Sequence, residues 1–304
     1  MVIRQKNPVN ITALLMFVVL NVVGLFSNKI TEWAGIDKYT LCIILYLICF
    51  LIPTVLLAVM QRKEIKIKSY LQLKSFKLRY VPVSVASGVT ATLFCLLLNG
   101  AIVMLFNIKG NSTFPTVMGD IEINGVLPVA FAVVLLPAIC EELFFRGAYC
   151  SQFSDEPRIE VILASALCFT MLHGSLANLV SPFVCGIVYC FLVYVTGSIW
   201  SAIIAHLTNN VIAVTAAYYS EALSVSELKY AIYVVSLIIF FISLYMTLRL
   251  FEKYYLKSKK RRKKINKKET NRRRNRQTPF TASFFVLVAL FVLKLVFEIT
   301  GFWA

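Results

Sequence analysis

The chain has 304 residues, of which 59% are hydrophobic and only 15% charged, against ~25% charged residues in an ordinary soluble domain. Its mean hydropathy of +0.77 excludes a soluble enzyme and a disordered chain. The net charge of +16 sits in two short blocks: residues 61–80 carry seven Lys/Arg and one Glu, and residues 252–278 carry fourteen Lys/Arg and two Glu. Neither block has the aromatic interleaving or Gly-rich motif of a nucleic-acid binder, so no nucleic acid is expected as a partner.

Apolar runs long enough to cross a ~30 Å hydrocarbon core recur along the chain. The alternating ~10-residue strands of a β-barrel do not occur. The fold class is therefore an all-α polytopic membrane protein. Nine transmembrane helices are predicted, at 9–27, 39–60, 81–106, 126–150, 160–178, 180–197, 199–219, 229–250 and 279–300. The first is a retained span, since no small-residue cleavage site follows it. Arg4 and Lys6 precede it, which predicts a cytoplasmic N-terminus. With alternating spans, both basic blocks then fall on the cytoplasmic side without adjustment. Trp303 falls at the outer interface. Gly174, Asn178 and Pro182 mark a short turn between spans five and six. The outer loop 107–125 contains Asn111-Ser112-Thr113, a glycosylation pattern too short to carry weight.

The organisation that follows is a two-span segment with a basic cytoplasmic loop (1–80), a helical core (81–251), a basic linker (252–278) and a final helix (279–304). The linker reads as unstructured or as a fraying helix, and its charge should hold it against anionic lipid headgroups. All eight cysteines lie in or at the ends of apolar runs, with no C-x-x-C, so they read as small apolar filler.

In such a chain the informative residues are ionisable ones inside the spans, because each costs at least ~2.5–3.5 kcal/mol at mid-helix. Span four carries Glu141, Glu142 and Arg146, span five His173, and span seven His206, Asn209 and Asn210. The two histidines are the only ones in the chain. Counting at ~1.5 Å per residue puts Glu141 roughly 13 Å, His173 roughly 20 Å and His206 roughly 12 Å from the inner ends of their spans. Within boundary error that is one level, nearer the cytoplasmic side.

Adjacent helix positions diverge by ~100°, so Glu141 and Glu142 face different neighbours. Glu142 and Arg146 are i, i+4 and can satisfy each other on one face. Glu141 has no such partner in its own helix and suits a general base working near neutral pH. Pro137, four residues earlier, should bend the span. Phe169 and His173 share a face, as do His206 and Asn210. The imidazole and amide N–H groups of the latter pair can stabilise an oxyanion. Interhelical hydrogen bonding is the plainer role for Asn209 or Asn210.

At these residues the chain resembles the CPBP family, also called the ABI or type II CAAX protease family. The family pattern is E-E-x-x-x-R, F-x-x-x-H and H-x-x-x-N/D on separate membrane helices. It is matched by Glu141-Glu142-Leu143-Phe144-Phe145-Arg146, by Phe169 to His173 and by His206-Leu207-Thr208-Asn209-Asn210. The motifs span 141–210, within a wider helical core of roughly 81–250. The resemblance implies an intramembrane endopeptidase of the catalytic bundle of helices four, five and seven. Its substrate would be a membrane-bound protein or peptide, in CAAX-type processing or in bacterial peptide maturation or self-immunity. Carried over by position, Glu141 and His173 would activate water, His206 and Asn210 would form the oxyanion site, and Glu142, Arg146 and Phe169 would support the helices.

No obligatory cofactor is expected. Glu141, His173 and His206 could ligate a divalent metal such as zinc with water in the fourth position, but no i, i+4 His pair organises such a site. H-E-x-x-H is absent too. The rival readings are a proton-coupled transporter using the same carboxylate and histidines, for which no internal repeat is seen, and a non-catalytic immunity or scaffold protein. Lys- and Asn-rich polar segments favour a bacterial plasma membrane.

Overall fold

A computed structural model describes residues 8–63, 65–106, 125–153, 159–173, 179–222, 226–266 and 278–300. Every element longer than a turn among them is a helix. Among the described residues, five helices are long and apolar enough to cross a membrane: Pro8–Leu25, Lys38–Gln61, Leu78–Leu98, Val126–Phe153 and Val234–Leu256. Ile159–His173 and Val180–Thr196 are apolar but shorter. Helices also run over Trp200–Ala222 and Ala282–Thr300. Arg4, Lys6, the sequon at Asn111, the turn residues Gly174 and Asn178, and Trp303 lie outside the described residues.

The chain departs from the predicted boundaries most at Ser226–Asn266, one helix of 41 residues. At ~1.5 Å per residue it is about 60 Å long, roughly twice the hydrocarbon core. Helix therefore continues into the first half of the basic linker. The reason is compositional: Glu252 to Asn266 is dominated by Lys and Arg, with no Gly or Pro to stop it.

Two mid-span prolines shape their helices in the same way. Pro lacks an N–H and its ring crowds the carbonyl four residues back. Ahead of Pro53 the helix widens into a π turn over Tyr46–Leu51, and the Ile52 N–H reaches the Leu47 carbonyl. Ahead of Pro137 a π turn covers Phe131–Leu135, closed by the Leu136 N–H on the Phe131 carbonyl. A third π segment, Leu143–Tyr149, directly follows Glu142. Wide turns of this kind re-aim side chains and are frequent at functional sites.

By packing, the chain divides into two compact units, one of residues 1–73, 139–187 and 277–304, the other of 74–138 and 188–276. In the first, Phe17 meets Phe291 edge-on at 6.4 Å. The buried Asn10 amide donates to the Pro279 carbonyl at 2.7 Å and to Thr281 Oγ1 at 2.8 Å. The starts of the first and last helices thus share a face. At the far end of Val126–Phe153, Tyr70 Oη donates to Gln152 Oε1 at 3.2 Å and Gln72 Nε2 to Ser151 Oγ at 3.0 Å. Burial pushes the Tyr70 hydroxyl above its usual range. A Cβ on Gly147 would come 3.3 Å from Leu71 backbone, so the loop lies directly on the helix there. The helix Lys38–Gln61 is started by Asp37, which accepts from the Tyr39 and Thr40 N–H groups at 2.8 and 3.0 Å, a cap typically worth ~1 kcal/mol. The Thr40 hydroxyl and these N–H groups hold its carboxyl below the ordinary range.

In the second unit, Val81–Phe106 packs between Trp200–Ala222 and Ser226–Asn266. Ser84, Gly88 and Thr92 form a small-residue row at i, i+4, i+8, which lets helix backbones approach closely. A Cβ on Gly88 would fall 2.5 Å from the Ala205 carbonyl oxygen and 2.8 Å from Thr208 Cβ. Tyr254 Oη donates to the Arg79 carbonyl at 2.9 Å, with its ring 4.9 Å from Tyr80. Ser198 Oγ donates to the Lys74 carbonyl at 2.8 Å. The end of the first basic block, the start of Trp200–Ala222 and the basic end of Ser226–Asn266 therefore share one face of this unit.

Candidate active site

Glu141 is the penultimate residue of the α-helical stretch Leu136–Glu142. Its side chain is only 4% exposed. A carboxylate at that depth needs a hydrogen-bond donor, and Tyr46 supplies one: its Oη donates to Glu141 Oε1 at 2.9 Å. Both residues line a cavity of ≈ 270 Å³ whose wall also includes His173. The remaining lining is Leu20, Cys42, Leu45, Phe50, Phe145 and Leu172. The cavity is thus an apolar chamber with three polar groups converging on it.

His173 closes the helix Ile159–His173 and is exposed. Its Nδ1 lies 2.8 Å from the Phe169 carbonyl oxygen. A carbonyl only accepts, so Nδ1 carries the hydrogen, and in the neutral ring Nε2 keeps the lone pair. The Phe169 ring sits 4.6 Å from the imidazole. Carboxylate and imidazole, predicted to share a level from helix counting alone, line one cavity.

Behind this cavity lies a buried ion pair. Arg146 Nη1 is 3.0 Å from Glu142 Oε1, and both side chains are fully enclosed. Arg146 Nη2 also donates to the Gly186 carbonyl at 3.2 Å. The guanidinium sits 4.6 Å from the centre of the Phe169 ring and 5.7 Å from that of Phe145, and those rings meet edge-on at 5.1 Å. Desolvated cation–π contacts of this kind are worth up to ~2 kcal/mol. Phe169 therefore touches the ion pair on one side and the imidazole on the other, which ties His173 to the helix of Glu141.

His206 and Asn210 belong to the second unit, both on Trp200–Ala222. His206 is buried, its ring stacked on Tyr189 at 5.2 Å. Asn210 Nδ2 donates to the Val134 carbonyl at 3.2 Å, and Asn209 Nδ2 donates to Asn210 Oδ1 at 3.2 Å. Thr92 Oγ1 donates to Asn209 Oδ1 at 2.7 Å. Both asparagines thus make interhelical hydrogen bonds, Asn209 to Thr92 and Asn210 to Val134, and the Asn210 amide has a second N–H to offer. Among the described residues no three His, Cys, Asp or Glu side chains are grouped to hold a metal ion. Of the three candidate ligands, Glu141 and His173 line the cavity of the first unit.

Two participants escape sequence reading. Tyr46 contacts Glu141 across helices, which no local spacing encodes; its one signal is a hydroxyl-bearing aromatic a π turn ahead of a mid-span proline. Gly186 is a lone glycine in an apolar span, a sign of close backbone approach. A Cβ there would meet Ala166 at 2.9 Å.

Residues 123–212 match the family model described as type II CAAX prenyl endopeptidase Rce1-like, the family that the three motifs resemble. Neither a curated protein nor a solved structure matches the chain.

Proposed function

We propose that this chain is an intramembrane endopeptidase that hydrolyses a peptide bond of a membrane-associated protein or peptide. The observation that carries the reading is Glu141 and His173 on one apolar cavity, the carboxylate fixed by Tyr46 and the imidazole by Phe169. Water held between them loses a proton to Glu141 as its oxygen attacks the scissile carbonyl. His173 holds the water through Nε2, and the proton is then delivered to the departing amine. His206 and Asn210 take the oxyanion role on the strength of the H-x-x-x-N motif. The test is cleavage of a peptide library by the purified chain in lipid nanodiscs, with products identified by mass. Absence of any product, with solute uptake into vesicles instead, would replace the protease with a carrier.

Asn210→Ala removes one oxyanion donor. A loss of ~10²–10³ in kcat is expected, with measurable activity left. An unchanged kcat would confine Asn210 to its contacts with Val134 and Asn209.

Anionic lipid is the proposed partner of the basic helix end, at ~1 kcal/mol per basic residue near the surface. Neutralising Lys259 to Lys264 is expected to weaken co-sedimentation of the detached segment with anionic vesicles and to spare hydrolysis. Lost hydrolysis in a folded variant would instead assign the block to substrate recruitment.

A further inference from the structure

The carboxylate at the centre of this reading is held from a different helix. Tyr46 Oη lies 2.9 Å from Glu141 Oε1. An ionised carboxylate only accepts, so the tyrosine donates. We propose that Tyr46 is the positioning residue of the reaction: its hydroxyl orients the Glu141 carboxylate for proton transfer. This rests on the endopeptidase reading above and extends it to a residue outside the three motifs.

The local sequence explains why Tyr46 points there. Pro53 opens the π turn Tyr46–Leu51, and Tyr46 is its first residue. One turn on, Phe50 packs against the Tyr46 ring at 5.3 Å, and Phe50 is itself held edge-on by Phe144 at 6.4 Å. Phe144 is fully buried on the Glu141 helix. The ring is thus braced by the same helix whose carboxylate its hydroxyl engages. The Tyr46 hydroxyl thereby holds the carboxylate at Oε1. Catalytic geometry of this kind depends on supporting contacts that lock the reacting group.

Because Tyr46 acts through the base, its removal should change turnover and leave substrate binding, set by the apolar lining, nearly alone. The experiment uses the full chain in nanodiscs and an internally quenched peptide that the wild type cleaves. Tyr46→Phe keeps the ring packing. It is expected to lower kcat about ten- to a hundredfold, the worth of one hydrogen bond to a charged group. KM should stay within about twofold and the melting temperature should not move. In the Glu141→Asp background the carboxylate is withdrawn by one methylene, so Tyr46→Phe should add little. Wild-type kcat in Tyr46→Phe overturns the proposal, and so does its full cost persisting in Glu141→Asp. A loss confined to melting temperature or KM makes Tyr46 a packing residue and overturns it as well. Should Tyr46→Phe fold poorly, a ring-fluorinated tyrosine at position 46 retains shape and donor while changing donor strength, and an unaltered kcat there is equally fatal. Full turnover by Glu141→Gln would remove Glu141 as the base, and absence of cleavage by the wild type would defeat the endopeptidase reading itself, whatever Tyr46→Phe does.

Discussion

Glu141→Gln and His173→Ala are each expected to remove nearly all peptide hydrolysis, and the double variant is expected to cost little more than either. Gln keeps the size of Glu and can still accept from Tyr46, so the cavity wall is preserved. It cannot take up a proton, and general acid–base catalysis typically contributes ~10²–10⁴ in rate. His173→Ala removes the Nε2 lone pair that the Phe169 carbonyl, by holding Nδ1–H, turns to the water. The two residues line one cavity and act on one water, so their losses should not multiply. The measurement is kcat/KM for the two single variants and the double on one peptide. Losses that multiply would mean independent roles and would sink the shared-water mechanism.

How far the sequence announces this arrangement depends on whether a relation runs along a helix or between helices. Glu142 with Arg146 and Phe169 with His173 are i, i+4 relations, and both appear as direct contacts. Helix spacing encodes them. Pro137 announces a disturbance but not its form, which is a π turn rather than a simple bend. Tyr46 on Glu141 and Arg146 on the Gly186 carbonyl join residues far apart in the chain, and nothing in their local spacing marks them. Basic charge leaves the linker open between an unstructured segment and a fraying helix, because a run of Lys and Arg suits a protruding helix as well as a solvated coil; helix runs to Asn266. Asn209 and Asn210 were indistinguishable as adjacent amides. Only their partners on other helices, Thr92 for Asn209 and the Val134 carbonyl for Asn210, tell them apart.

The largest stability effect is expected behind the cavity, at Glu142→Gln. Glu142 is 0% and Arg146 1% exposed. Gln preserves volume and an acceptor but removes the counter-charge 3.0 Å from Arg146 Nη1. The guanidinium cannot shed its proton, and the Phe169 and Phe145 rings and the Gly186 carbonyl offer only partial compensation. Breaking a buried pair from one side typically costs ~3–5 kcal/mol, whereas replacing both partners by apolar groups of similar volume is often neutral. Glu142→Gln should therefore lower the yield of folded protein and its unfolding midpoint in SDS, and Glu142→Gln combined with Arg146→Met should recover much of that loss. The activity that remains per folded molecule separates support from chemistry. It should stay near wild type in the rescued double variant, because neither residue lines the cavity that holds Glu141 and His173. A rescued fold with no turnover would show that this ion pair acts on the reaction as well as on the helix.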